Sequence, residues 1–163
     1  MTVSTRPQLI VAVDVAELAG AQRLIGALDG LDVIFKLGYE PLYGYGEALR
    51  AQLERSGAGY FIDAKLHDIP RTVAAGVRAL VRQGVRILTI HALGGNEMMQ
   101  AAVAAAEERA GELGIEPPKI FAVTLLTSLD VEDLGELGLH GGPGENVIRL
   151  AALARDARCS GVV

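Results

Sequence analysis

Three charged residues stand close together in Asp63-Ala64-Lys65-Leu66-His67-Asp68, directly after the apolar run Tyr60-Phe61-Ile62. A strand with a side-chain period of two would put Asp63 and Lys65 on one side of it. Asp68 follows three residues on, where such a strand should have ended. A second lysine, Lys36, closes the apolar run Val33-Ile34-Phe35, and Asp14 closes Leu9-Ile10-Val11-Ala12-Val13. Charges this near a core are costly unless they pair with each other or with a substrate. An ammonium flanked by carboxylates is held in its charged form. That disfavours a Schiff base, which needs a neutral amine. It favours a proton donor, or a cation that stabilises developing negative charge. A negative substrate group set beside Asp63 would be repelled. Losing it, for example as CO2, relieves the repulsion, and Lys65 can protonate the carbanion left behind. The bland alternative is a solvated strand end whose ion pair is worth at most about 1 kcal/mol. The recurrence of Asp14 and Lys36 at two other strand ends weighs against it.

The elements that must position these residues alternate. Strands are expected at Leu9–Asp14, Val33–Gly38, Tyr60–Lys65, Val85–His91, Lys119–Leu126 and, as a beginning, Cys159–Val163. Between them, apolar residues recur at helical spacing: Ala21, Leu24, Ile25 and Leu28; Leu42, Leu49 and Leu53; Val73, Val77, Leu80 and Val81. The third of these helices should start at Pro70, which has no N–H to leave unpaired, and stop at Gly84. An alanine-rich helix is expected from Asn96 to Leu113, a short one capped by Asp130, and another carrying Val147, Leu150, Ala151 and Ala154. Strand–helix alternation implies a parallel sheet with crossover helices. Polar residues at many strand ends favour an α/β barrel of the TIM (β/α)8 type over an open doubly wound sheet, which concentrates its site at one switch point.

Length and composition bound the rest. The chain has 163 residues, half of them hydrophobic and few aromatic, so the core must be Ala, Val, Leu and Ile. No run reaches the roughly 18 apolar residues of a membrane span, and the first seven residues do not resemble a signal peptide. One cysteine, Cys159, allows no internal disulfide, which suits the cytoplasm. The formal charge of −5 argues against nucleic acid as a partner. With two lysines in the cluster and no His/Cys grouping of zinc spacing, no metal is expected. A β/α barrel takes about 250 residues. Residues 1–163 are therefore expected to be a single barrel domain cut short on its C-terminal side, supplying about six β/α units. Such a segment alone should aggregate or fold poorly, because two strand edges would stay open.

The run Phe61-Ile62-Asp63-Ala64-Lys65-Leu66-His67-Asp68-Ile69-Pro70-Arg71-Thr72-Val73 resembles the signature of the orotidine 5'-phosphate decarboxylases. Val11–Asp14, Phe35–Gly38, His91–Gly95 and Val123–Ser128 support the resemblance, in matching order along the whole chain. It implies a β/α barrel, a homodimer with shared active sites, no metal or organic cofactor, and conversion of orotidine 5'-phosphate to UMP and CO2. It implies that Lys65 protonates C6 of the pyrimidine and that Asp63 faces the substrate carboxylate. Lys36 would bridge Asp63 and the ribose, and Asp14 would bind a ribose hydroxyl. Asp68 and Thr72, with Ile69 beside them, would be lent to the partner's site, and Thr127 would contact the pyrimidine.

Two departures stand out. Arg71 occupies a position where the family usually has Asn. The family's phosphate-binding residues follow the seventh and eighth strands, which these residues do not include. Gly141-Gly142-Pro143-Gly144 is read as a connection, not a phosphate loop, because it does not directly follow a strand and Pro143 lacks an N–H. His91 is read as a satisfied structural histidine, His67 as a loop residue, and Cys159 as a small buried residue. Two alternatives stay open: a magnesium-dependent sugar-phosphate decarboxylase or synthase of the same superfamily, and an inactive dimerising remnant without a phosphate site. Against the first, the second strand ends in a cation, Lys36, where a metal site would need an anion.

Overall fold

A computed structural model describes residues 7–163, so most of the opening segment searched for a signal peptide lies outside the described residues. The chain divides into two compact units, one of residues up to 63 with 83–86, the other of 64–82 with 87–163. Within each unit neighbouring strands pair in parallel and in chain order.

In the first unit, β1 (Leu9–Ala12) pairs with β2 (Val33–Leu37), which pairs with the start of β3 (Gly59–Leu66). Helices α1 (Leu18–Ala27), α2 (Tyr39–Gly44) and α3 (Gly46–Ser56) make the crossovers. β2 is buried at every position except Lys36, the near-continuous apolar pattern of a strand covered on both faces. The sequence predicts one helix through Leu42, Leu49 and Leu53; there are two. Tyr45, at φ −153° and ψ 22°, breaks the run, and its hydroxyl donates to the Val15 carbonyl. Gly57 closes α3 in the left-handed conformation, as Ser56-Gly57 led one to expect.

Gly84 corrects a sequence reading. The helix it should have stopped, α4 (Pro70–Leu80), ends four residues earlier, where Val81 is already extended. Gly84, at φ +87°, instead turns the chain toward β4 (Val85–His91), and its carbonyl accepts the Tyr60 N–H at 2.9 Å. A Cβ there would lie 2.9 Å from Cε1 of the fully buried Tyr60 ring, so the glycine is needed for space as well as for φ.

The second unit holds the end of β3, α4, most of β4, a 3-10 turn at Ala92–Gly94, α5 (Gly95–Leu113), β5 (Lys119–Val123), α6 (Val131–Glu136), α7 (Pro143–Asp156) and β6 (Gly161–Val162). Pro70 is the first residue of α4, as predicted. α4 packs on α5, burying Val73 and Val77 on one helix and Ala102, Ala105, Ala106 and Ala110 on the other. Asp130 caps α6 by accepting from the N–H groups of Glu132 and Asp133. β5 ends at Val123, three residues before the sequence suggests. Thr124 leaves the run: its N–H and its hydroxyl both donate to the Val163 carbonyl, each at 2.9 Å.

Candidate active site

In the first unit the residues of interest sit on strand ends. Asp14 lies just beyond β1, where the Val13 N–H donates to the Lys36 carbonyl at 2.9 Å. Its carboxylate lies beside Gly38, 3.7 Å from where a Cβ on that glycine would stand. Lys36 Nζ and Asp63 Oδ2 are 3.6 Å apart, with side chains 25% and 12% exposed. The pair is thus poorly solvated, and losing either member takes a counter-charge from the other. A solvated surface pair does not describe it.

In the second unit the motif leaves strand geometry. Lys65 has φ +46°, so the period-two argument for its sharing a face with Asp63 stops at Ala64. Lys65 and Arg158 are the described non-glycine residues with positive φ, a conformation that strains a residue with a Cβ. The Lys65 N–H donates to the hydroxyl of Thr89, a fully buried residue of β4, at 3.0 Å. Asp68 turns its carboxylate back onto the Ile69 N–H at 2.6 Å. Ile69 caps the N-terminus of α4 through its carbonyl, which accepts from Thr72 and Val73. Asp68, Ile69 and Thr72 are all exposed. Thr127 is exposed too, in the turn after β5.

His91 is not the satisfied histidine the sequence suggests. Its ring stacks on His67, with centroids 5.2 Å apart and planes at 22°. Its Nδ1 is buried and has no hydrogen-bond partner among the described residues. Burial first, then the neighbouring His67 and the Lys65 charge, push its pKa below the ordinary value. Neither Thr89 nor the histidine stack is signalled in sequence, because both depend on which residues of β4 face the end of β3.

The glycine-rich stretch before α7 is folded on itself. Asn146, fully buried, donates to the carbonyls of His140 at 3.0 Å and Gly142 at 3.1 Å, and Glu145 accepts the Gly142 N–H at 3.0 Å. The Gly142 N–H is thus used within the loop. Burial pushes the Cys159 thiol up to about 11, which suppresses the thiolate. Among the described residues no three His, Cys, Asp or Glu side chains are grouped to hold a metal ion. Nor is any described helix long and apolar enough to cross a membrane.

The family model described as "Orotidine 5'-phosphate decarboxylase / HUMPS family" matches residues 7–163. The chain belongs to this family. Among curated relatives, the orotidine 5'-phosphate decarboxylase of Moorella thermoacetica is 45% identical over 97% of this chain and 63% of its own length. That of Paramagnetospirillum magneticum is 45% identical over 94% of this chain and 65% of its own. The crystal structure of orotidine 5'-phosphate decarboxylase from Lactobacillus acidophilus superposes with a TM-score of 0.87 at 34% identity, covering 95% of this chain and 70% of that one. The chain therefore spans a little under two thirds of the length of the first of these curated relatives. Its membership of the orotidine 5'-phosphate decarboxylase / HUMPS family, with its parallel β/α alternation, makes the fold a partial TIM-type barrel.

Proposed function

We propose that the natural protein containing this chain decarboxylates orotidine 5'-phosphate to UMP and CO2, without metal, as a cytoplasmic homodimer. The observation that supports it most directly is the match to the decarboxylase family along residues 7–163, which includes the whole Asp63–Thr72 motif. In this reading Asp63, held by Lys36 at 3.6 Å, lies against the substrate carboxylate and disfavours the ground state. The C6–carboxylate bond breaks, CO2 leaves, and the electron pair stays on C6. The Lys65 ammonium stabilises that charge and gives its proton to C6, then regains one from water. Asp14 and Lys36 hold the ribose, and Thr127 meets the pyrimidine. Asp68, Ile69 and Thr72, exposed in the single chain, reach the partner's site.

The test is turnover of orotidine 5'-phosphate by the full-length protein, followed by pyrimidine absorbance with and without EDTA, with Lys65→Ala as control. EDTA-resistant turnover that disappears in Lys65→Ala is expected. A folded protein with no turnover, or one that needs magnesium, would overturn the reading and favour the magnesium-dependent members of the superfamily.

A further inference from the structure

Thr89 sits in a strand whose other central residues, Ile87, Leu88 and Ile90, are apolar and buried. A hydroxyl placed there is costly unless it is hydrogen-bonded. It accepts the backbone N–H of Lys65 at 3.0 Å. Lys65 in turn holds φ +46°, a conformation that persists in a residue with a Cβ only when its surroundings enforce it. The strained backbone and the buried polar group are therefore partners in one contact. Two residues along β4 on the same face comes His91, which lies in the field of the Lys65 ammonium. Thr89 thus meets Lys65 at its backbone and His91 near its charge.

We propose that Thr89 is a positioning residue for Lys65: its buried hydroxyl fastens the Lys65 N–H and fixes the left-handed turn from which the ammonium is presented. The inference rests on the reading of Lys65 as proton donor. It differs from a packing role because a methyl group fills the same space as the hydroxyl but accepts no hydrogen bond. Thr89→Val should therefore preserve the core while releasing Lys65.

The experiment compares Thr89→Val, Thr89→Ser, Lys65→Ala and the Lys65→Ala/Thr89→Val pair in the full-length protein, reading kcat, KM and exchange of the Lys65 amide proton. In Thr89→Val, kcat should fall by up to about 10²-fold, the scale of a small misplacement of a reacting group. KM should stay within about twofold, since the change acts through orientation and not uniform binding. Thr89→Ser should restore most of kcat, and Thr89→Val should add nothing on the Lys65→Ala background. Full kcat in Thr89→Val, or equal losses in Thr89→Val and Thr89→Ser, would overturn the proposal. If the wild-type protein does not turn over orotidine 5'-phosphate, the proton-donor reading fails separately. The amide measurement still decides the anchoring: faster exchange at Lys65 in Thr89→Val but not Thr89→Ser supports it, and unchanged exchange in both overturns it.

Discussion

Asp63 and Lys65 are separated by one residue, yet they stand on two kinds of backbone. Asp63 closes the regular part of β3, after the fully buried Tyr60 and Ile62, and is held by an ammonium from the neighbouring strand. Lys65 begins the irregular part, left-handed and tied to a buried threonine, followed by Asp68, Ile69 and Thr72, all exposed. The first region is fixed by strand register and core burial. The second is fixed by a few polar contacts and presents its side chains outward. A site that must hold one charge still and offer others to a ligand or a partner would divide in this way.

The largest effects are expected at the two lysines. Lys65→Ala should cost kcat about 10²–10⁴-fold, the range of a lost general acid, with little change in the unfolding midpoint. Lys36→Ala removes a counter-charge from a poorly solvated carboxylate and should lower both turnover and stability. Steady-state kinetics and thermal unfolding on the same samples separate the two. Equal profiles for both variants would erase the distinction drawn between the regions.

Two isoleucines sharpen it next. Ile62 is fully buried, and Ile62→Ala should cost about 2–5 kcal/mol in chemical denaturation. Ile69 is 61% exposed, and Ile69→Ala should stay within about 0.5 kcal/mol in denaturation of the dissociated chain. In the proposed homodimer it should instead weaken association, read by sedimentation. Gly84→Ala forces a Cβ onto a left-handed residue and against the Tyr60 ring, and should cost about 1–3 kcal/mol.

His91 gives a pH-dependent prediction of smaller size. Its pKa is lowered in the folded state by burial, His67 and Lys65, so below about 6.5 the unfolded chain binds a proton that the folded one resists. Stability present above that pH is lost as the pH falls. The unfolding midpoint should drop between pH 7.5 and 5.5, and less so in His91→Gln. The smallest effect is expected on the exposed face of the α4–α5 pair, where Glu112 receives Arg78 and, at 2.9 Å, Arg109. These contacts lower the Glu112 pKa, yet the groups are solvated, so Glu112→Gln should shift the midpoint only slightly and lose even that in high salt.

Much of this was legible in the residues. The apolar runs locate β1 to β5; β2 and β4 are buried almost throughout, as parallel strands covered on both faces are, whereas β1 is largely exposed. Pro70 marks the start of α4, and Asp130 marks α6, because each meets a local requirement of a helix N-terminus. The charged residue types at the strand ends point to a site as well: Lys36 and Asp63 meet there as a poorly solvated pair, whereas Asp14 is exposed. The full burial of Tyr60 was not legible, since its ring packs beside Gly84, 24 positions away in sequence but hydrogen-bonded to it.

The sequence by itself determined the alternation of elements, the family, and which charged residues stand at which strand ends, since these follow from nearest-neighbour patterns and from motif spacing. Tertiary structure alone decided the left-handed turn at Lys65, the threonine that holds it, the stacking of His67 on His91, and the burial of an unpartnered imidazole nitrogen. Each of these arises where β4 meets the end of β3. Backbone conformation at such a junction is set by contacts between residues far apart in the chain, and local propensity for Lys65 would have favoured the ordinary extended form.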